Sequence, residues 1–409
     1  MFPFINRINK IVLFLFLIIF SGTLHAREFR HQYREGNQYR IVSEVDEAVL
    51  VNNEIIYQSR ILNRIAVKIL EGDLSGGQVE TTYQISEQTD SGESYQWAME
   101  DTVIFRIDSA GAYSEISPDQ YLPSVRNVPL FPEENIEPGD RWYFPGEEVL
   151  DLAPNFGIDY RLHLNFNVFY EYKGTIIKDN RELDVIKINY NIYTEIDPSS
   201  VPEDKISDPE IAPKKVTGSF NQILYWDNNA GLPYEVEENF IYEFTLKNKV
   251  SYVFRGTSSG KAFYAVEMEK EEMEEEIQKD LEGMEGVSVE KSDEGITLTL
   301  ENIQFKPDSA ELLPSEMAKL EKISSILNKY PDRDIMIVGH AARLGHESWL
   351  QELSEMRAAS VAQYFIDRGV RSKSQIVTKG MGSKQPVGDN STEEGRRKNR
   401  RVEIIILEN

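Results

Sequence analysis

At 409 residues the chain is long enough for two or three domains with cores of their own, and its 40% hydrophobic and 11% aromatic content marks it as folded. A net charge of −25 argues against nucleic acid as a partner, because phosphate binding needs a cationic surface. The absence of cysteine removes disulfides, thiol catalysis, cysteine-ligated metals and a cysteine-borne lipid anchor.

The elements follow in chain order. Arg7 and Lys10 precede the apolar run Ile11–Phe20, and Ala26 closes a small-residue cleavage position, so residues 1–26 are expected to be a signal peptide. As a helix that run rises only about 15 Å, half of a bilayer core of about 30 Å. From Arg27 to Phe263 the text is strand-like: 39–45, 47–58, 102–108, 161–172, 183–193 and 240–246 are rich in β-branched and aromatic residues. Leu162, Leu164, Phe166 and Val168 alternate with Arg161, His163, Asn165 and Asn167, the period of a half-buried strand. Turn-forming residues at 108–111, 178–180 and 227–231 separate such runs as hairpin loops would.

The expected N-terminal unit, residues 27–262, is therefore an antiparallel β-rich domain, a sandwich or half-barrel. A membrane barrel competes with it: the stretch 161–172 meets the pattern of a barrel strand, but 39–50 puts charge on both faces, which a lipid-facing strand does not tolerate. Prolines 198, 202, 209 and 213 predict a long exposed loop. The segment 129–149, with Trp142, Tyr143 and Phe144, reads as an edge loop laying aromatics over the sheet end, or alternatively as the lining of a ligand pocket. Residues 263–286 are strongly acidic, with Met273, Ile277 and Leu281 every four residues, and predict a solvated connecting helix. They contain no calcium-loop pattern, and no metal is expected.

Residues 287–409 balance their charges: from residue 301 onward there are 17 Lys and Arg against 16 Asp and Glu. A hairpin over 287–300 is followed by a helix from Pro314 that presents Met317, Leu320, Ile323 and Leu327 on one face. Next come a short apolar strand, 335–338, and a helix over about 348–368 with Leu350, Leu353, Val361 and Phe365 inward, ended by Gly369. Strands at 376–378 and 402–407 close the chain. This order implies a mixed sheet with helices on one face, and the chain as a whole is α+β.

The runs FKPDSAELLPSEMAKLEKISSIL, IVGH, LSEMRAASVAQYF and KGMGSKQPVGDNSTEEGRRKNRRVEI occur here in that order. Together they resemble the OmpA-like domain, a peptidoglycan-binding module with an α/β sandwich fold. The resemblance implies non-covalent capture of the stem peptide, with an aspartate in a Gly-His-Thr-Asp loop holding the stem's amine and a helix arginine holding a carboxylate. Arg357 stands at the arginine position, and its planar fork of donors suits a carboxylate. The other candidate binding positions are His340, Ala342, Arg343, Glu347, Leu353 and Arg401.

Three family residues are replaced. Ala341 and Ala342 occupy the Thr-Asp positions, and Leu350 stands where an asparagine is usual. A charge-assisted hydrogen bond contributes roughly 1.5–3 kcal/mol, so losing it weakens capture of a diaminopimelate stem by about one to two decades. Three readings follow: the wall carries a different diamino acid; Glu347 or His346 fills the vacated space; or wall binding is lost and the module docks a protein. The basic run Arg396, Arg397, Lys398, Arg400 and Arg401 either contacts wall carboxylates or is solvated, while Asn399 and Arg401 also suit holding the loop before the last strand.

The histidines are His25, His31, His163, His340 and His346, and no metalloprotease, nucleophile-elbow or phosphate-loop motif accompanies them. No enzyme and no cofactor is expected. The expected role is that of a periplasmic, outer-membrane-associated protein. It would grip the stem peptide of peptidoglycan while residues 27–262 engage the outer membrane or another envelope protein. A β domain enclosing a lipid or small ligand is the alternative.

Overall fold

Asn52 and Asn53 both adopt left-handed backbone angles, φ 50° and 70°, and so turn the chain within what reads as one strand over 47–58. Asparagine enters that region more readily than most residues, and two in succession suit the tight turn of a hairpin. The turn joins β1 (Gln38–Val51) to β2 (Glu54–Asp73). In the computed structural model of the chain, the described residues are 26–89, 94–117, 120–196, 209–264, 268–292, 294–306 and 309–408. The expected signal peptide, but for Ala26, and the proline loop from 197 to 208 lie outside them.

The next strands are β3 (Gly76–Thr89), β4 (Tyr95–Asp108), the short β5 (Tyr113–Ser114) and β6 (Val125–Arg126), and β7 (Arg141–Asp151). After a single-turn helix, α1 (Ala153–Phe156), come β8 (Arg161–Lys178), β9 (Arg181–Glu195), β10 (Pro213–Asp227), β11 (Leu232–Leu246) and β12 (Ser251–Tyr264). Antiparallel pairing gives one continuous order, β4-β3-β2-β1-β12-β11-β10-β9-β8-β7. The segment between β4 and β7 pairs with both edges, through β5 on β4 and β6 on β7. Side chains from β1, β4, β7 and β9 to β12 line one interior cavity, so the sheet is curled into a half-barrel.

Period 2 governs which side chains enter. In β8 every second residue from Leu162 to Tyr172 is buried, while His163, Asn165, Asn167, Phe169 and Glu171 point outward. That outer face lacks the apolar band of a lipid-facing barrel strand. Inside, Phe166, Tyr190 and Phe220 stack across β8, β9 and β10 with centroids 4.5 Å apart. Trp142, expected in an edge loop, belongs to β7, stacks on Tyr170 at 5.2 Å and donates its indole N–H to Leu130.

The C-terminal elements are α2 (Lys270–Asp280), β13 (Val287–Lys291), β14 (Gly295–Glu301), α3 (Met317–Leu327), β15 (Ile335–Gly339), α4 (Glu347–Asp367), β16 (Ile376–Gly380), α5 (Glu393–Asn399) and β17 (Arg401–Leu407). The strands run in the order β13-β14-β17-β15-β16, and β15–β16 is the parallel pair. Leu320, Ile323, Val361 and Phe365 from α3 and α4 bury against Leu298, Ile337 and Ile404. One expectation is corrected here. α2 is not solvated all round, because Ile277 and Leu281 are buried in this same core. Its apolar stripe needs cover, while Glu276 and Asp280 remain exposed or partly exposed and pair with Lys329.

The opposite face of this sheet meets the half-barrel. β16 runs parallel to the start of β4, pairing Val377 with Tyr95 and Thr378 with Gln96, and Thr378 Oγ1 donates to the Tyr95 carbonyl at 3.1 Å. Trp97 packs on Met336, Val338 and Ile405. Beside this seam the Asp334 carboxylate accepts from Arg40 Nη1 at 2.7 Å and Arg64 Nε at 3.1 Å, and Arg64 Nη2 also donates to the Ser374 carbonyl.

Candidate functional site

Two neighbouring strands end flush against one helix. A Cβ on Gly339 would sit 2.1 Å from the Ser354 carbonyl oxygen, and one on Gly380 would sit 2.4 Å from Glu355 Cγ. Only glycine permits this approach of β15 and β16 to α4. Ser354, fully buried at the contact, donates to the Gln351 carbonyl and accepts from the Gly382 N–H. The loops that follow the two strands are thereby fixed over the first turns of α4, and they are tied together by Ala341 N–H donating to Gly382 O at 2.8 Å.

His340 opens the first loop. Its ring is buried, with Nε2 3.3 Å from the Glu403 carboxylate. Burial opposes ionisation of Glu403, but His340 and Arg401 outweigh it and hold that carboxyl below the usual range. Arg401 is buried as well: Nε donates to Glu403 at 2.7 Å and Nη1 to the Gln385 carbonyl at 3.1 Å. Asn399, buried beside it, accepts from the N–H groups of Val387 and Gly388 and donates to Gly388 O and Asn390 Oδ1. These residues shape the site from behind.

Ala341 and Ala342 are buried and form an apolar wall. Arg343 is exposed, its backbone N–H held by Asn390 Oδ1 at 3.0 Å. Glu347, the first residue of α4, turns to the neighbouring loop: its carboxylate accepts from both the N–H and the hydroxyl of Ser383, which hold it below the ordinary carboxylate range. His346 is exposed at the helix start and makes no capping bond. Leu350 and Leu353 are buried.

Arg357 lies ten residues beyond Glu347, about 15 Å along the helix. It is half-buried, and its guanidinium stands over the ring of Phe305, 4.9 Å from the centroid. The structure thus gathers His340, Ala342, Arg343 and Glu347 at the loop, sets Arg357 further along α4 against Phe305, and places Arg401 behind. Sequence reasoning missed Phe305, Ser354, Ser383 and Glu403. The glycines that end β15 and β16 were the available signal for Ser354. Among the described residues no group of three or more His, Cys, Asp or Glu side chains is placed to hold a metal ion.

A protein-family model described as the OmpA family matches residues 304–400. Residues 304–400 are an OmpA-family domain. Over 122 residues this region is 38% identical to “Probable lipoprotein YiaD” of Escherichia coli K12, covering 30% of this chain and 55% of that protein. Over 104 residues it is 40% identical to “Peptidoglycan-binding protein ArfA” of Mycobacterium tuberculosis H37Rv, covering 25% of this chain and 32% of that one. The chain therefore spans about half of the first relative and a third of the second. The solved structure of an outer membrane protein from Borrelia burgdorferi B31 aligns at 39% identity over 30% of this chain and 96% of its own, with a TM-score of 0.26. The half-barrel lies outside the OmpA-family match.

Proposed function

We propose that the chain is an exported cell-envelope protein whose C-terminal part, residues 287–409, binds the stem peptide of peptidoglycan non-covalently. In this reading residues 1–26 are a signal peptide and residues 27–262 link the wall to the outer membrane or to another envelope protein from the periplasmic side. The observation that carries the wall-binding reading is Arg357, at the family's arginine position and poised over Phe305. A planar guanidinium there suits a carboxylate of the stem. The amine side of the stem finds no anion at Ala342, and Glu347 is engaged with Ser383. A stem whose diamino acid makes no contact at Ala342 is the ligand this reading favours.

Purified sacculi from the source organism test this reading. Arg357→Ala is expected to lower co-sedimentation at least tenfold, in line with the roughly 1.5–3 kcal/mol of a charge-assisted hydrogen bond, and Arg357→Lys to fall between. Binding unchanged by Arg357→Ala, or no binding by the unsubstituted protein, overturns it in favour of a protein-docking module. A second expectation concerns the alanine wall. Ala342→Asp should raise affinity for diaminopimelate-type murein about tenfold, by the same magnitude argument. Equal affinity of the two forms in a sedimentation titration would show that no stem amine reaches residue 342.

A further inference from the structure

The concave face of the half-barrel holds an open-sided cavity of about 580 Å³, within the usual range for a small-molecule site. Its wall is largely apolar and aromatic, with Tyr190, Phe220, Phe240 and Phe244 prominent. Three carboxylates nevertheless line it: Glu47 from β1, Glu148 from β7 and Glu238 from β11. Among the described lining residues none is Lys or Arg. His31, also in the wall, is pushed down to about 4 by burial and carries no charge at neutral pH.

The carboxylates are not equally provided for. Glu238 accepts from Gln222 Nε2 at 2.7 Å. Glu148, 7% exposed, faces the Tyr242 hydroxyl, yet among the described residues neither Glu148 Oε2 nor Tyr242 Oη completes a hydrogen bond of ordinary geometry. Burial, reinforced by the nearby Glu238, pushes Glu148 up to about 8. Buried carboxyl groups in an apolar wall are costly unless something satisfies them. Aromatic faces and carboxylates together complement one chemistry, an apolar chain that ends in a positively charged nitrogen.

We propose that the interior of the half-barrel is a binding cavity for a cationic amphiphile, its apolar part among Tyr190, Phe220, Phe240 and Phe244 and its ammonium group between Glu148 and Glu238. The proposal does not depend on wall binding by the C-terminal part. Calorimetric titration of the full chain at pH 7 with three ten-carbon probes, each below its micelle concentration, tests it. Decylammonium is expected to bind one per chain, at least tenfold more tightly than decanol, with decanoate weaker still. Combining Glu148→Gln with Glu238→Gln should cut decylammonium affinity at least tenfold and leave decanol within twofold. In the unsubstituted protein, repeating the titration in buffers of different ionisation enthalpy should show a proton released when the amine binds and none when decanol binds. Decanol or decanoate binding as tightly as the amine, amine binding unmoved by the double substitution, or no proton release would each overturn the proposal.

Discussion

Replacing Asp334 with alanine is expected to cost about 3–5 kcal/mol of stability, because it leaves buried arginine charge without a counter-ion. Asp334 is nearly inaccessible, as is its partner Arg64, and Arg40 is only slightly less so. Burial pulls the Arg64 guanidinium below its ordinary value, and Asp334 is the group that chiefly opposes that pull. Arg40 and Arg64 belong to β1 and β2, whereas Asp334 directly precedes β15, so the ion triad spans the seam between half-barrel and OmpA-family domain. Removal should therefore loosen that seam before either part unfolds. The measurement is chemical denaturation followed by Trp97 fluorescence, with hydrogen exchange at the β4–β16 pairing as the local readout. A double-mutant cycle with Arg64→Ala should show coupling, the pair costing less than the sum of the single changes. Additive losses would mean that the ion pair does not hold the seam.

Glu148→Gln is expected to act in the opposite direction and to stabilise the unliganded protein. The folded-state value of about 8 lies above the ordinary 4.5, so the folded chain holds the proton more tightly than the unfolded one. In the unsubstituted protein the stability tied to this group is fully present below about pH 4.5, declines as pH rises and is gone above about pH 8. Glutamine cannot ionise and removes that slope. The gain should be absent at pH 4 and grow to as much as about 4 kcal/mol at pH 8, from 1.36 kcal/mol per pKa unit. Denaturation midpoints of the two forms across pH 4–9 check this. Parallel curves would show that Glu148 ionises in the folded state as readily as in the unfolded chain.

Much of the fold was legible from local pattern. β8 was visible because Leu162 to Val168 alternate with polar residues, and only a surface that is half core and half water selects such alternation. The β8–β9 and β10–β11 hairpins were marked by Asp179-Asn180 and by the residues before Gly231. The β1–β2 turn was hidden because Asn52-Asn53 sits between two apolar runs that read as one. α2 was misjudged because its glutamates dominate the composition, whereas a single stripe of Met273, Ile277 and Leu281 decides where the helix lies.

By itself the sequence determined the α+β class, the OmpA-family signature, the place of Arg357 on its helix and the pair Ala341-Ala342 in the loop before it. Each is a matter of residue identity or of spacing along one element. The tertiary structure alone decided that Glu347 turns to Ser383, that Arg357 lies over Phe305, that Asp334 meets Arg40 and Arg64, and that Glu148 and Glu238 share one cavity. Those neighbours are separated by tens to hundreds of residues. Their meeting depends on how far a ten-strand sheet curls and on which strand edge the second sheet joins, quantities to which no local period or motif is sensitive.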